Sequence, residues 1–182
     1  MDTHVAVIPA PEQQREGSTI RRFLAERGVI VMKETHTVAT LATMHRSPLD
    51  IGGQVLVLVR GTDRQVSVGV KFEHPETATQ IASTAFVDSD ELEVFIGAFK
   101  FITTTAIQMA HEERDYTEIT YATRDDVRIG FFQDRRKQQA FVRLGTAAPH
   151  VFFRVEALHN IRAAVAQAGD YVEARRKAWE SR

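Results

Sequence analysis

The chain has 182 residues, of which 43% are hydrophobic and 26% charged, with a net charge of −1 and no cysteine. This size and composition predict a single folded domain with its own core and argue against a disordered or integral membrane protein. The absence of cysteine excludes disulfides, zinc-thiolate sites and thiol nucleophiles from this chain. We therefore expect a soluble, cytoplasmic protein that does not bind membranes.

The first half of the chain predicts four strands between a short helix and a long one. Residues 9–17 are polar and contain prolines, and we expect residues 1–17 to form a flexible N-terminal arm. Ser18 is a suitable cap for a helix ending near residue 27. Strands are predicted by alternating or β-branched runs at 29–44, as one or two strands, and at 54–60, 65–73 and 81–87. Val55 to Val59 is apolar on both faces, which predicts a central strand that is covered on two sides. Apolar residues then recur at spacings of three and four from Leu92 to Met109, which predicts an amphipathic helix of about five turns.

The second half repeats this order of elements. Alternation of period two predicts strands at 117–123, 127–133, 138–144 and 151–155. A last helix is predicted from about Glu156, with Gly169 as a point where it breaks or kinks. The predicted fold is α+β: two units of four antiparallel strands, each followed by an amphipathic helix. We expect a single domain over residues 18–182, with halves at 18–111 and 112–182.

Charge is unevenly distributed along this near-neutral chain. Residues 77–126 contain 10 acidic and 3 basic side chains, whereas residues 127–182 contain 5 acidic and 11 basic ones. Two interpretations follow with equal weight. The regions could be complementary surfaces of one fold or of neighbouring subunits, or the basic region could face an anionic ligand.

One face of the predicted C-terminal sheet combines aromatic rings with arginines. The opposite, alternating residues are apolar and form a conventional core face, which leaves this second face to be explained. We call this surface the Phe/Arg face. Its members on three neighbouring strands are Arg128 and Phe132, Phe141 and Arg143, and Phe152 and Arg154. Planar rings accept base stacking, and guanidinium groups bind phosphates, so this pattern indicates a platform for single-stranded nucleic acid.

Two neighbouring features fit the same platform. Gly130 lies on this face, and the lack of a side chain would let a base approach the backbone. Arg135, Arg136 and Lys137 form a basic turn beside it, which could follow a phosphate backbone.

The same residues have two other interpretations. If the two predicted sheets pack on each other through this face, Phe132, Phe141 and Phe152 are part of the core between the sheets, and the arginine stems cover apolar surface. Alternatively, the face is a contact for another protein or for a second copy of the chain. The leading hypothesis is a non-enzymatic, oligomeric protein that binds single-stranded nucleic acid, and the alternative is a protein-interaction or assembly module.

Enzymatic and metal-binding motifs are weak in this sequence. His111-Glu112-Glu113 lacks the second histidine that a zincin helix requires. Gly52-Gly53-Gln54 matches the tripeptide of peptide-release factors, but we interpret it as a turn before a hydrophobic strand. No Walker A loop or dinucleotide-binding glycine motif is present. We therefore expect no catalytic residue, no metal and no cofactor.

The order of elements over roughly residues 37–168 resembles the Whirly-type family of single-stranded-DNA-binding transcriptional regulators, whose relatives include the Pur-alpha proteins. The resemblance implies two sheets that pack at a steep angle, helices that cover or join subunits, and single strands bound along the sheets of a homo-oligomer. The lysine- and glycine-containing motif associated with Whirly proteins is absent here, so the resemblance assigns no functional residue. The neutral charge also departs from what a DNA-binding member would show.

Overall fold

A computed structural model describes residues 17–45, 47–75, 77 and 81–181. Residues 1–16 of the predicted N-terminal arm lie outside this part of the chain. The described residues form two four-stranded antiparallel sheets, each followed by a long helix, which confirms the predicted α+β class and its duplicated order of elements.

The elements follow the predicted order, with differences at their ends, of which the largest is at β2, which begins six residues before its predicted start. The first half contains α1 Thr19–Ala25, β1 Ile30–Ala42, β2 Pro48–Arg60, β3 Asp63–His74, β4 Ser83–Asp88 and, after a 3-10 turn at Ser89–Glu91, α2 Leu92–Met109. The second half contains β5 Arg114–Ala122, β6 Val127–Arg135, β7 Lys137–Leu144, β8 Val151–Phe153 and α3 Ala157–Glu180. In each sheet the strands lie side by side in chain order. Ser18 caps α1 as predicted, since its side chain accepts a hydrogen bond from the Arg21 amide.

The two halves share one hydrophobic core. The inner faces of both sheets and the apolar stripes of α2 and α3 pack together, and the core's largest side chains are Phe72, Phe95, Phe99, Phe131 and Phe153. The second sheet contributes its predicted apolar face, including Val127 and Ile129. The rings of the Phe/Arg face are not members of this core, so the interpretation that places them between the two sheets is corrected.

Helix α3 continues beyond the shared core and covers the inner face of the first sheet. Its Val172 packs against Val55, Val57 and Val68. Gly53 lies below this part of the helix, where a β-carbon would come within 2.6 Å of the Tyr171 Cδ1 atom. The interpretation of Gly52-Gly53-Gln54 as a turn is therefore wrong: the tripeptide lies inside β2, and the missing side chain at Gly53 lets α3 approach the sheet.

Two further expectations concern Gly169 and the central strand β2. Helix α3 is continuous through Gly169, which faces Leu92 of α2 and provides room for that side chain instead of breaking the helix. Strand β2 is covered on both faces, as its apolar sequence predicted. Val57 lies under α3, while Leu56 on the other face packs with Ile20 of α1.

Candidate functional site

The Phe/Arg face is the outer face of the second sheet. Side chains alternate between the two faces of a strand, and Ile129 and Phe131 of β6 point into the shared core. Arg128, Gly130 and Phe132 therefore point outward. The register brings Gly130 opposite Phe141 of β7, and Phe141 opposite Phe152 of β8. The predicted aromatic residues of three strands thus meet on one surface.

Four rings form a continuous series across this face, which we call the ring strip: Tyr116, Phe132, Phe152 and His150. Ring centroids are 6.2 Å apart between Tyr116 and Phe132, and 6.1 Å apart between Phe132 and Phe152. His150 and Phe152 are nearly parallel, with centroids 5.9 Å apart. Tyr116 and His150 are exposed and the two phenylalanines are partly buried, so the strip presents aromatic surface to solvent.

Phe141 has a different role from the one predicted. Its side chain is only 2% exposed, because the His150 ring covers it edge to face at a centroid distance of 4.8 Å. The Phe141 ring also fills the space above Gly130, where a β-carbon would lie 2.8 Å from the Phe141 Cζ atom. The expectation that this ring is available for stacking and that Gly130 admits a base is corrected: the ring occupies that space itself.

The arginines at one end of the face are already paired within the chain. Asp126, in a left-handed conformation at the β5–β6 turn, accepts hydrogen bonds from Arg128 Nε at 2.7 Å and from Arg143 Nη2 at 3.3 Å. A single carboxylate thus orients two of the predicted cations and partly neutralises them. Glu118 also lies at this face and accepts a 2.6 Å hydrogen bond from the Tyr116 hydroxyl.

The cations at the other end of the face are less restrained. Among the described residues, Arg135, Lys137 and Arg154 form no ion pair, and Arg136 forms an exposed one with Glu113 at 3.4 Å. Lys137 and Arg154 line an open cavity of about 520 Å³ beside Phe132, together with Met44, Asp134, Gln138, Gln139, Val155 and Glu156. This end therefore offers cationic, amide and aromatic groups to one ligand, and two carboxylates that limit its positive charge.

The groups around His150 disfavour the charged form of its ring. Burial lowers the pKa of this imidazole below its usual range, and the nearby Arg143 and Arg128 lower it further, against an opposing effect of Glu118. The lowered pKa favours the uncharged ring, which contacts Phe141 and Phe152 as one aromatic ring contacts another.

The sequence patterns did not identify Tyr116 or His150. Strand β5 begins at Arg114, three residues before the predicted start, and this places Tyr116 within reach of Phe132. His150 precedes β8 by one residue and has the same parity as Phe152, so extending the alternation two residues towards the N-terminus would have found it.

The described residues contain no group of three or more His, Cys, Asp or Glu side chains that could hold a metal ion. A comparison with protein-family models, with curated proteins and with solved structures found no match in any of the three.

Proposed function

We propose that this protein binds single-stranded nucleic acid on the outer face of its second sheet. The observation that carries the proposal is the ring strip, which runs across the sheet beside cations that have no carboxylate partner among the described residues. Rings in a sheet face accept any base, because every base has a π-face, and stacking contributes about 1–3 kcal/mol per base. The resemblance to Whirly-type proteins points to the same class of ligand.

The individual residues have separate tasks in this binding mode. Phe132 and Phe152 are each partly exposed, and a base would stack on the part of the ring that neighbouring rings leave uncovered. Lys137 and Arg154 flank Phe132 and bind phosphate oxygens on the strand that passes over the cavity. Phe141 does not contact the ligand. It supports His150 from below and so fixes one end of the ring strip.

Stacking should contribute more to affinity than charge does. The chain carries a net charge of −1, and Asp126 already engages Arg128 and Arg143. The cations left for phosphates are chiefly Arg135, Lys137 and Arg154. Each phosphate contact adds about −0.7 to the slope of log affinity against log salt for a single strand, so we expect a slope near −2.

The experiment is a fluorescence anisotropy titration of a labelled oligothymidylate of about 16 nucleotides, starting at about 50 mM salt. Phe132→Ala and Phe152→Ala should each weaken binding by about 5- to 150-fold, since each removes one stacking ring. The matched control is Phe101→Ala, which removes an exposed ring from α2 instead. That variant should bind like the original protein.

A salt series separates the contribution of charge. Lys137→Ala and Arg154→Ala should each reduce the magnitude of the salt slope by about 0.7, whereas Arg64→Ala, an exposed cation at the start of β3, should leave it unchanged. Asp126→Asn, which releases Arg128 and Arg143, should tighten binding. Absence of saturable binding at micromolar protein, or equal loss in Phe132→Ala and Phe101→Ala, would overturn the proposal.

A protein-interaction face is the second candidate, and one observation favours it. Several aromatic and charged groups of the face are already matched within the chain, with Tyr116 bonded to Glu118 and two arginines bonded to Asp126. Aromatic side chains, methionine and arginine are enriched at protein interfaces. On this reading Phe132→Ala would abolish capture of a partner protein while oligonucleotide titrations stay flat at every salt concentration.

A further inference from the structure

Helix α2 has an apolar face that no other part of the described chain covers. Its stripe from Leu92 to Met109 is buried in the shared core, but Val94 and Phe101, on the opposite side, are 61% and 64% exposed. Residues seven apart lie on the same side of an α-helix, so these two side chains belong to one face. Exposed apolar side chains aligned in this way are typical of an interface.

Gly97 lies between these two side chains, in the middle of the helix. A glycine costs about 1 kcal/mol relative to alanine inside a helix. Within the described part of the chain nothing requires it here, because a β-carbon at Gly97 would have no neighbouring atom within 4 Å and the backbone has ordinary helical geometry. The small residue has no packing role among these residues, and it would let another helix approach the α2 backbone closely.

The charges beside this face are complementary to the same charges on a second, antiparallel copy of the helix. Glu93 and Lys100 are exposed, lie seven residues apart on the same flank of α2, and have Gly97 near their midpoint. When two copies of a helix pack antiparallel about a two-fold axis, the same flank of each copy lies against that of the other. Residues that precede the crossing point in one copy then lie opposite residues that follow it in the other copy. Each Glu93 then meets the Lys100 of the other copy, and each Val94 meets the other Phe101.

We propose that α2 binds a second copy of this chain, with the two helices antiparallel and crossing at Gly97. The partner is a second copy because both the charged pair, Glu93 and Lys100, and the apolar pair, Val94 and Phe101, are arranged around Gly97. Two antiparallel copies that cross there can therefore match both pairs. The two Glu93–Lys100 pairs fix the antiparallel register. One helix pair buries less surface than a standard stable interface of about 1,600 Å², so the dimer is weak and forms with increasing concentration.

Two other occupants of the face are distinguishable by experiment. With its preceding turn, Ser89–Met109 is the one described helix long and apolar enough to cross a membrane, and so the face could instead meet lipid. A different protein could also bind there. In either case the chain would be monomeric by itself at all concentrations tested.

The first measurement is the mass of the protein by sedimentation velocity from about 1 to 500 µM. We expect the mass to rise from that of the 20.5 kDa chain towards twice that value. Gly97→Gln places a side chain at the crossing point and should raise the dimer dissociation constant at least about ten-fold. The same change should leave the thermal unfolding midpoint of the monomer equal or higher, because glutamine is a better helix former than glycine.

Charge reversal gives a second, independent measurement. Glu93→Lys turns both ion pairs into repulsions and should raise the dissociation constant about ten-fold, while Glu93→Lys combined with Lys100→Glu should restore it to within about three-fold. Ile107→Gln is the matched control: Ile107 is 65% exposed on the same helix but lies ten residues, or about 15 Å, along it from the crossing point at Gly97.

Three outcomes would overturn the dimer. The first is a monomer at every concentration, including one that instead binds vesicles of phosphatidylcholine and phosphatidylglycerol. The second is a dimer that persists unchanged in Gly97→Gln. The third is a dimer weakened equally by Ile107→Gln and by Glu93→Lys. Oligonucleotide binding by the isolated monomer is unaffected by any of these results, because the ring strip and the α2 face share no residue.

Discussion

The outer faces of the two sheets differ although the sheets have the same order of strands. On the first sheet, α1 covers Leu56 and Phe86 with Ile20, and the result is a small buried cluster. On the second sheet, the rings cover one another only in part and leave aromatic surface accessible. The two units thus share an order of strands but differ in how their outer faces are covered.

Helix α1 is held in place by carboxylates from the end of the first unit and the start of the second. Asp88, only 2% exposed, accepts hydrogen bonds from the Ser18 hydroxyl and from the Thr19 and Ile20 amides. Asp125 accepts a 2.9 Å hydrogen bond from Arg21. These contacts hold the covering helix against the sheet through hydrogen bonds to a buried charge. In this chain the covered sheet face is the one over which a helix is anchored by hydrogen bonds.

The largest effect that tests this comparison is expected within the open face itself. Phe141 is enclosed and Phe132 is not, so Phe141→Ala should lower the free energy of unfolding by about 3–5 kcal/mol and Phe132→Ala by about 1 kcal/mol. Urea unfolding followed by far-UV circular dichroism measures both. Equal losses in the two variants would mean that Phe141 is no more part of the interior than Phe132 is.

The next effect concerns the anchor of α1. Asp88→Ala leaves the Ser18, Thr19 and Ile20 donors without their acceptor and should lower the free energy of unfolding by about 2–4 kcal/mol. Asp88 and Asp90 both form ion pairs with Arg124. Asp90→Ala is the control, because the Asp90 side chain is 67% exposed and its loss should cost less than about 1 kcal/mol.

Amide hydrogen exchange in the Asp88→Ala variant tests which residues α1 covers. Asp88→Ala should also make Phe86 and Leu56 more accessible, measured as faster amide hydrogen exchange in β2 and β4, with no change in β6. Protection factors in β2 that match those of the original protein would contradict an anchoring role for Asp88.

Hydrophobic periodicity predicted the fold because both periods are local. The stripe from Leu92 to Met109 and the alternation around Phe131 need only neighbouring residues, and both elements formed as expected. The details of the site are not local. Phe141 is buried because a loop histidine folds over it and Gly130 leaves space beneath it. The Ser18–Asp88 contact joins residues 70 positions apart, and no pattern within a strand or a helix encodes it.

Asp126 gives a further reason why the electrostatics of the face could not be predicted. The sequence places it in a turn, but its effect on Arg128 and Arg143 depends on the left-handed backbone that directs its carboxylate at both arginines. Counting basic residues on the face therefore overestimated the charge available to a phosphate strand.

The smallest effect we predict is a loss of stability at mildly acidic pH, with one contribution from each half of the molecule. Burial lowers the pKa of His74, whose ring lies 2.8 Å from the Ser47 hydroxyl, and burial with Arg143 and Arg128 lowers the pKa of His150. The unfolded chain takes up these protons at a higher pH than the folded one. The stability contributed by the neutral rings is therefore complete above the ordinary value of 6.5 and is lost as pH falls below it.

Urea midpoints at pH 7.5 and 5.5 test this, within a range chosen to stay above the titration of Glu34, whose pKa the hydrogen bond from Arg175 lowers from 4.5. The midpoint should fall between the two pH values in the original protein, fall less in His74→Gln and in His150→Gln, and change least in the double variant. His111→Gln, an exposed histidine after α2, should retain the full dependence. A midpoint that rises towards pH 5.5 would reverse the sign, because it would require folded histidines that bind protons more tightly than unfolded ones.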